Sequence, residues 1–245
     1  MKTAVYTGTR NLYGDMMTAC KSLLYNSDVD KIYLLVEDDI FPYDLPECIE
    51  AVNIVPIAGE IFPADGANME TKFTIMALMR AALFKVFPEQ DRILSLDVDT
   101  IVDKRIDEIW DLPIDDCYFA GCHETHRSKN GLMYCNAGVF LQNLKMLRNG
   151  KGEEIIYLLN HWKYPWVDQD AFNYLCQGRI YDMSSDYNDT DWTVRPNKCK
   201  IKHYAGIKYD KWTREPLVQK YRDMSLNKIL EARDVVKRER QDNKS

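Results

Sequence analysis

The sequence predicts an α/β fold with a mostly parallel central sheet, helices on both of its faces and a small C-terminal helical appendage. Short apolar runs alternate with segments of helical periodicity, which is typical of βαβ units. One apolar run leads directly into two acidic residues, and open α/β sheets bind ligands at the carboxyl ends of their strands. The 245 residues, 46% of them hydrophobic, can bury the core of one large domain.

The N-terminal half contains the most regular pattern. Its first strand ends at a turn rich in Thr, Gly and Asn, and the next segment has apolar residues at helical spacing. The predicted elements are strand Thr3–Tyr6, helix Asp15–Leu24, strand Lys31–Val36, strand Val52–Val55, helix Thr71–Phe87 and strand Arg92–Leu96.

The C-terminal half is less regular. Asp182–Lys198 is polar and has no periodicity, and a charged helical segment begins near Glu215. We therefore expect a catalytic domain over residues 1–214, followed by a helical segment and tail over residues 215–245. The other predicted elements are strands Tyr118–Ala120, Val139–Leu141 and Lys200–Tyr204 and helices Glu153–Trp162 and Asp170–Cys176.

Composition excludes several classes of protein. The net charge of -6 argues against a general nucleic-acid binder, which needs a basic surface. Seven scattered cysteines fit a reducing compartment, and no apolar run approaches the roughly 20 residues of a transmembrane helix. The N-terminus is too short and polar for a signal peptide, so we expect a cytoplasmic protein. The C-terminal segment permits contact with a membrane surface, but its many acidic residues favour a packed helix.

Two carboxylates follow the predicted strand Arg92–Leu96. Asp97 and Asp99 are two positions apart, so on an extended segment their side chains point the same way. Two neighbouring carboxylates repel each other unless a cation lies between them. Mg²⁺ and Mn²⁺ prefer oxygen ligands and bridge diphosphates. The pair indicates a metal site, and the alternative is a solvated acidic loop.

An ordered set of motifs resembles glycosyltransferase family 8, and the resemblance runs from Ala4 to about Trp212. It implies a GT-A fold, a Rossmann-like domain that binds a nucleotide-diphospho-sugar. It also implies transfer of a hexose from UDP-glucose or UDP-galactose, with Mn²⁺ or Mg²⁺ as the metal. The motifs are the turn Val5–Tyr13, Arg80, Leu96–Asp99, Cys135–Val139, Asp168–Asp170 and His203–Gly206.

The resemblance also implies roles for individual residues. Asp97, Asp99 and His203 would hold the metal, and Asp97 would also face the ribose or the sugar. Thr7, Thr9 and Asn11 would contact the uracil and ribose, and Tyr13 would stack on the uracil. Gly206 would let the backbone approach the phosphates. The residues implied to contact the donor sugar are Arg80, Asn136, Asp168 and Gln169.

The lysine that contacts the phosphates in this family is ambiguous here. The family pattern is H-x-x-G-x-x-K-P-W, and the corresponding stretch here is His203 to Trp212. This stretch lacks the proline, and Lys208 stands one position before the place of the family's lysine. We expect Lys208 to offset the charge of the departing UDP, with Lys211 as the substitute.

The family retains the anomeric configuration, which leaves two mechanisms open. Asp168 and Gln169 would act either as nucleophile or as electrostatic support, and we favour front-face attack by the acceptor. The acceptor is a glycan, a protein side chain or a small molecule. Two other functions remain as alternatives: a sugar-phosphate nucleotidyltransferase, and a catalytically inactive protein that binds a sugar nucleotide or glycan.

Overall fold

Nine strands carry the fold in the computed structural model, which describes residues 1–71, 73–124, 126, 131–190, 198–206 and 209–242. The strands of the described residues are β1 (Thr3–Thr7), β2 (Lys31–Val36), β3 (Ile49–Asn53), β4 (Arg92–Leu96), β5 (Thr100–Val102), β6 (Phe119–His123), β7 (Cys135–Asn143), β8 (Ile180–Met183) and β9 (Ile201–His203).

Seven of these strands form the central sheet in the order β3-β2-β1-β4-β7-β6-β8. Strand β7 runs antiparallel to both of its neighbours, and the other neighbouring pairs are parallel. Because β1 and β4 are adjacent and parallel, their carboxyl ends open side by side at one edge of the sheet. The predicted α/β fold with a mostly parallel sheet is confirmed.

The helices cover both faces of this sheet. Alternate side chains of β1 lie on opposite faces of the sheet. Tyr6 belongs to the hydrophobic core on one face, and Val5 belongs to the core on the other. The helices are α1 (Tyr13–Asn26), α2 (Val55–Ile61), α3 (Ile75–Leu78), α4 (Leu83–Val86), α5 (Leu144–Met146), α6 (Gly152–His161), α7 (Val167–Leu175), α8 (Tyr209–Trp212), α9 (Pro216–Asp223) and α10 (Leu226–Asp242).

Two predicted elements differ from the structure, and strands β5 and β8 were not predicted. The single helix expected over Thr71–Phe87 is two short α-helices, α3 and α4, joined by a 3-10 turn over Met79–Ala82. Val55 begins α2 instead of ending a strand, because Pro56 at the first turn suits a helix start. Strand β8 forms at the edge of the sheet by pairing with β6, so Asp182 and Met183 are not irregular as expected for the stretch Asp182–Lys198.

A small second sheet brings the distant C-terminal part of the chain to the end of β4. Strand β5 follows β4 after a tight turn and pairs antiparallel with β9. In this pairing Thr100 lies opposite His203. The register therefore places the imidazole next to the acidic residues that precede Thr100.

Helices α9 and α10 pack against α1. The buried amide of Asn26 in α1 donates hydrogen bonds to the hydroxyl of Tyr221 in α9, at 2.6 Å, and to Val102 O, at 2.7 Å. The C-terminal helices thus share buried polar contacts with the first helix and with β5. None of the helices in the part of the chain that the structure describes could span a lipid bilayer.

Candidate metal and nucleotide-sugar site

The turn after β4 fixes the two acidic residues. The backbone N–H of Asp97 donates to Gly138 O at 2.9 Å, which extends the pairing with β7 by one residue. The carbonyl of Asp97 accepts from both the backbone N–H and the hydroxyl of Thr100, at 3.1 and 2.6 Å. Both carboxylates, of Asp97 and Asp99, are partly exposed where the strand ends.

His203 completes a cluster with these carboxylates. Its Nε2 lies 3.2 Å from Asp99 Oδ1 and 3.6 Å from Asp97 Oδ2. One ligand atom from each of the three residues lies within 4.8 Å of the other two. Two carboxylate oxygens and an imidazole nitrogen form a donor set that suits Mn²⁺, so these residues fit the metal that the sequence predicts.

Asn188 determines how the imidazole is presented. Its Nδ2 donates to Asn136 Oδ1 at 3.1 Å, so its Oδ1 faces Nδ1 of His203 at 2.8 Å. Nδ1 must therefore carry the hydrogen, and in the neutral imidazole Nε2 presents its lone pair to the carboxylates. Metal-binding histidines commonly have such a partner on the second nitrogen.

Gly138 leaves the space that the imidazole occupies. A Cβ at this position of β7 would lie 2.1 Å from Cε1 and 2.5 Å from Nδ1 of His203. Any side chain at position 138 would therefore displace the ring. This explains physically why a glycine stands beside the candidate metal site.

Charge interactions within the cluster shift two pKa values in opposite directions. Burial lowers the pKa of His203, but the neighbouring carboxylates of Asp99 and Asp97 raise it by more. Burial raises the pKa of Asp99, but the charge and hydrogen bond of His203 outweigh this and hold it below its usual range. Without a cation, a proton on the imidazole thus stabilises the carboxylates; a bound cation would take over that role.

Arg80 links the metal cluster to the acidic start of α7. It lies in the 3-10 turn between α3 and α4, 6% exposed, and its guanidinium donates to Asp97 Oδ1 and to Ala137 O. Its Nε lies 3.4 Å from Asp168 Oδ2. Burial lowers the pKa of Arg80, but Asp97 and Asp168 raise it by more, so the guanidinium stays charged.

Asp168 is a buried carboxyl group at the beginning of α7. Burial raises its pKa to about 6, although the charge of Arg80 opposes this. The preceding Val167 has a φ of 31°, an unfavourable conformation for a β-branched residue. Such strain is frequent at functional sites, and here it lies directly beside Asp168.

Gln169 is held by the strand next to the site. Its Oε1 accepts from Ala137 N at 2.9 Å, and its Nε2 donates to the hydroxyl of Tyr134 at 3.1 Å. That hydroxyl in turn donates to Asp170 Oδ1. The side-chain amide therefore fixes α7 to β7 at Ala137, the residue between Asn136 and Gly138.

A cavity of ≈ 390 Å³ opens above the cluster, between the carboxyl ends of β1 and β4. It brings together five residues predicted for the donor and the metal: Thr7, Thr9, Arg80, Asp97 and Asp99. The other residues that line it are Gly8, Leu12, Asp15, Phe73, Thr74, Met76, Ala77, Val98 and Trp212.

Two residues predicted for the uridine lie beside this cavity. Asn11 is exposed, and its Oδ1 accepts from the Thr9 hydroxyl at 2.6 Å. Tyr13 is 2% exposed, with its ring 5.0 Å from that of Phe41 and its hydroxyl accepting from Glu37 N. Stacking on a uracil would require the Tyr13 ring to become accessible.

The other predicted residues lie near the metal cluster or beyond it. Asn136 is partly buried, and its Oδ1 also accepts from Gly138 N at 2.9 Å. Gly206 is exposed at a φ of 74°, a backbone conformation that favours glycine. Lys211 is exposed on α8, one residue before Trp212. Lys208 lies outside the described residues.

Four residues of the site have no role in the prediction from sequence. Asn188 and Gly138 support the imidazole, and Asp15 and Trp212 line the cavity. The ring of Trp212 lies 5.6 Å from the guanidinium of Arg222, which is 3.4 Å from Asp15. Two of them carried a signal in the sequence: Gly138 lies within the motif Cys135–Val139, and Trp212 ends the motif that starts with His203.

Comparison with known proteins identifies the family of the chain. The family model described as "Glycosyl transferase family 8" matches residues 47–208. A candidate glycosyltransferase of Haemophilus influenzae is 29% identical over 154 residues, 52% of this chain and 46% of that protein. Glycosyltransferase GlyD of Streptococcus pneumoniae is 29% identical over 202 residues, 76% of this chain and 24% of that protein. The chain thus spans about half of the first relative and about a quarter of the second.

Solved structures share the fold. The galactosyltransferase LgtC, in complex with donor and acceptor sugar analogues, superposes with a TM-score of 0.67 at 18% identity, covering 92% of this chain and 98% of LgtC. The glycosyltransferase GlyE of Streptococcus pneumoniae superposes with a TM-score of 0.70 at 21% identity, covering 94% of this chain and 62% of GlyE. At these identities the likeness concerns the fold.

Proposed function

The chain belongs to glycosyl transferase family 8, and we propose that it is a retaining enzyme that transfers glucose or galactose from the UDP-sugar to an acceptor, with Mn²⁺ as cofactor. One observation supports this most strongly. The cluster of Asp97, Asp99 and His203 lies with its two carboxylates in the wall of a cavity at the carboxyl ends of β1 and β4. Nucleotides bind at such strand ends in open α/β sheets.

The metal would be held by Asp97, Asp99 and His203. When bound, it neutralises the diphosphate and stabilises the negative charge that develops on UDP. The imidazole nitrogen favours Mn²⁺, with Mg²⁺ as the second choice, because Mg²⁺ takes oxygen ligands almost always.

The uridine would lie against the end of β1. Thr7 and Thr9 line the cavity there and offer hydroxyl groups to the ribose and the uracil. Asn11 would reinforce them through its hydrogen bond with Thr9. Gly8 is buried in the same turn, so the backbone forms the cavity wall at this point.

The hexose would lie between Arg80 and the beginning of α7. Arg80 is charged and fixed by Asp97 and Asp168, so it presents an oriented donor to sugar hydroxyls. Asn136 would contribute its amide beside the metal. Asp168 is buried and paired with Arg80, and Gln169 is buried and accepts a hydrogen bond from Ala137 N. This supports a positioning role for both residues and front-face attack by the acceptor oxygen.

The charge of the departing UDP would also be offset by a lysine after Gly206. Lys208 and Lys211 are the two candidates, and Lys211 precedes the cavity residue Trp212. Alanine variants of each residue would assign the role. The variant that lacks the contacting lysine should lose most of its turnover, while the other should keep it.

A mass-spectrometric panel of nucleotide sugars tests the function. UDP-glucose, UDP-galactose and GDP-mannose are incubated with Mn²⁺ and the wild-type chain, and released nucleotide is measured. Release from one of the UDP-sugars, lost in Asp99→Asn and kept in the exposed control Asp44→Asn, supports the proposal. No release from either UDP-sugar contradicts it.

Two further measurements distinguish the proposed enzyme from the two alternative functions. Binding of UDP-sugars without any turnover would indicate a catalytically inactive sugar-nucleotide protein. Formation of UDP-glucose from UTP and glucose 1-phosphate would indicate a nucleotidyltransferase. The proposed enzyme gives neither result.

A further inference from the structure

Three aromatic rings project from the C-terminal end of α6 and form a surface that we call the aromatic platform: Tyr157, His161 and Trp162. Tyr157 is 54% exposed and Trp162 is 52% exposed. The rings of Tyr157 and His161 stack at 4.1 Å, and the ring of Trp162 lies 6.0 Å from both. Large aromatic rings that are clustered yet exposed mark binding surfaces.

Buried hydrogen bonds hold the platform in place. Asn68 is 1% exposed, and its Nδ2 donates to Leu159 O and to Trp162 O, at 2.5 and 2.7 Å. Its Oδ1 accepts from Tyr164 N at 2.9 Å. The backbone that carries Trp162 is therefore fixed on both sides. A surface with this rigidity loses little conformational entropy when a ligand binds.

A second cavity, of ≈ 560 Å³, begins directly after the platform in the chain. It is lined by Lys163, Tyr164 and Pro165 on one side and by Glu70, Thr71 and Phe73 on the other. Phe73 lines the nucleotide-sugar cavity as well. Its ring lies 6.0 Å from that of Trp166, which is 38% exposed. Phe73 thus lies in the wall of both cavities, and the second cavity adjoins the platform in the chain, where Lys163 follows Trp162.

We propose that this second cavity and the aromatic platform bind an oligosaccharide acceptor, with the distal sugars of the chain stacked on Tyr157 and Trp162. This inference rests on the proposed glycosyltransferase function and specifies the acceptor class. The apolar C–H face of a pyranose packs on an aromatic ring, while its hydroxyl groups remain free for polar partners. Glu70 and Lys163 supply such partners along the second cavity.

The charges around the platform favour this occupant over an anionic membrane. Glu154 precedes Tyr157 and His161 by three and seven positions, so it lies on the same face of α6. Glu70 adds a second carboxylate at the cavity. Glu154 is paired with Lys151, and Lys163 lines the same cavity as Glu70. Anionic lipids attract clusters of lysine and arginine, and here the two carboxylates balance the charges of the two lysines.

A glycan array with defined oligosaccharides tests the platform with the full chain. The variants are Trp162→Ala, Trp162→Phe and Tyr157→Ala, with Tyr25→Ala as a matched control, because Tyr25 is a 41% exposed ring on α1. We expect the wild type to bind at least one oligosaccharide class and each platform alanine variant to bind it roughly tenfold more weakly. Trp162→Phe and Tyr25→Ala should bind like the wild type.

Two parallel measurements separate this inference from the proposed function. Acceptor-independent hydrolysis of UDP-sugar should be unchanged in all four variants, and thermal unfolding should show that they fold. If the wild type hydrolyses UDP-sugar but binds no glycan, the platform proposal is wrong and the proposed function stands. The same holds if Trp162→Ala binds glycan as well as the wild type does. Glycan binding without hydrolysis overturns the proposed function instead. The platform proposal is also wrong if Trp162→Ala keeps glycan binding but loses binding to phosphatidylglycerol vesicles. It is equally wrong if that variant keeps glycan binding but loses self-association.

Discussion

The Nδ1 nitrogen of His203 and the Oδ1 oxygen of Asn188 lie 2.8 Å apart in a buried contact. Asn188 is 5% exposed, and its amide nitrogen is occupied by Asn136. This arrangement leaves Asn188 one orientation and His203 one neutral tautomer. The side chain that directs the candidate metal ligand therefore comes from a polar segment without any recognisable motif.

Asn188→Ala should weaken Mn²⁺ binding about 10- to 100-fold, the usual effect of losing the partner of a metal-bound histidine. The imidazole would lose the acceptor that fixes its tautomer and ring orientation. Mn²⁺ titration followed by electron paramagnetic resonance measures the affinity. Asn227→Ala, at an exposed position of α10, is the control and should bind like the wild type.

Gly138→Ala should abolish Mn²⁺ binding, because the added Cβ would occupy the position of the His203 ring. The matched control is Gly59→Ala in α2, where a Cβ has no atom within 4 Å. That control should keep full Mn²⁺ binding and raise the free energy of unfolding by up to about 1 kcal/mol, because alanine favours a helix. Normal metal binding by Gly138→Ala would contradict the geometry of the site.

The central part of the site could be predicted from sequence because its signals are local. An apolar strand that runs into Asp97 and Asp99 predicts where two carboxylates meet, and the structure places both at the end of β4. Placing His203 beside them required the family resemblance, because the antiparallel pairing of β5 with β9 joins segments about 100 residues apart. Asn188 gave no signal, because its role depends on that tertiary pairing.

Arg80→Lys should lower the turnover of UDP-sugar by at least about tenfold, since a lysine ammonium lacks the planar fork that reaches three partners at once. In the structure the guanidinium contacts Asp97, Asp168 and Ala137 O. Steady-state kinetics with Arg92→Lys as the control measures the effect. Arg92 forms a similar pair with the exposed Asp115, far from the cavity. Equal turnover in both variants would show that the buried guanidinium of Arg80 has no role in turnover.

Helix boundaries around Arg80 illustrate what the sequence left undetermined. Apolar periodicity predicted one helix over Thr71–Phe87, but the chain forms a 3-10 turn at Met79–Ala82. Arg80 lies in that turn and is paired with Asp97 and Asp168. The apolar stripe is compatible with either geometry. The periodicity alone therefore does not distinguish the broken helix from the continuous one.

Stability should fall as the pH rises from about 4 to about 6. Burial raises the pKa of Asp15 from 3.8 to about 6, although Arg222 opposes this, and Asp168 has a similar pKa. The folded state therefore holds protons that the unfolded state releases, and this stabilisation is lost as the carboxyls ionise. Thermal unfolding between pH 4 and pH 7.5 measures the dependence.

Asp15→Asn should reduce this pH dependence and raise the free energy of unfolding at pH 7 by at most about 3 kcal/mol, the equivalent of two pKa units. Arg222 is partly exposed, so water can solvate it after its partner is neutralised. Asp44→Asn changes an exposed carboxyl and should leave the profile unchanged. A profile of Asp15→Asn that parallels the wild type would show that Asp15 is not the responsible group.

The proposed function requires that Asp97, Asp99 and His203 bind one divalent cation that contacts a diphosphate. Titration of the wild type and Asp99→Asn with Mn²⁺ in the presence of UDP, followed by electron paramagnetic resonance, tests this most directly. We expect one Mn²⁺ to bind to the wild type, more tightly with UDP than without it, and Asp99→Asn to lose this binding. Equal binding by both proteins, or no binding by the wild type, would contradict the account.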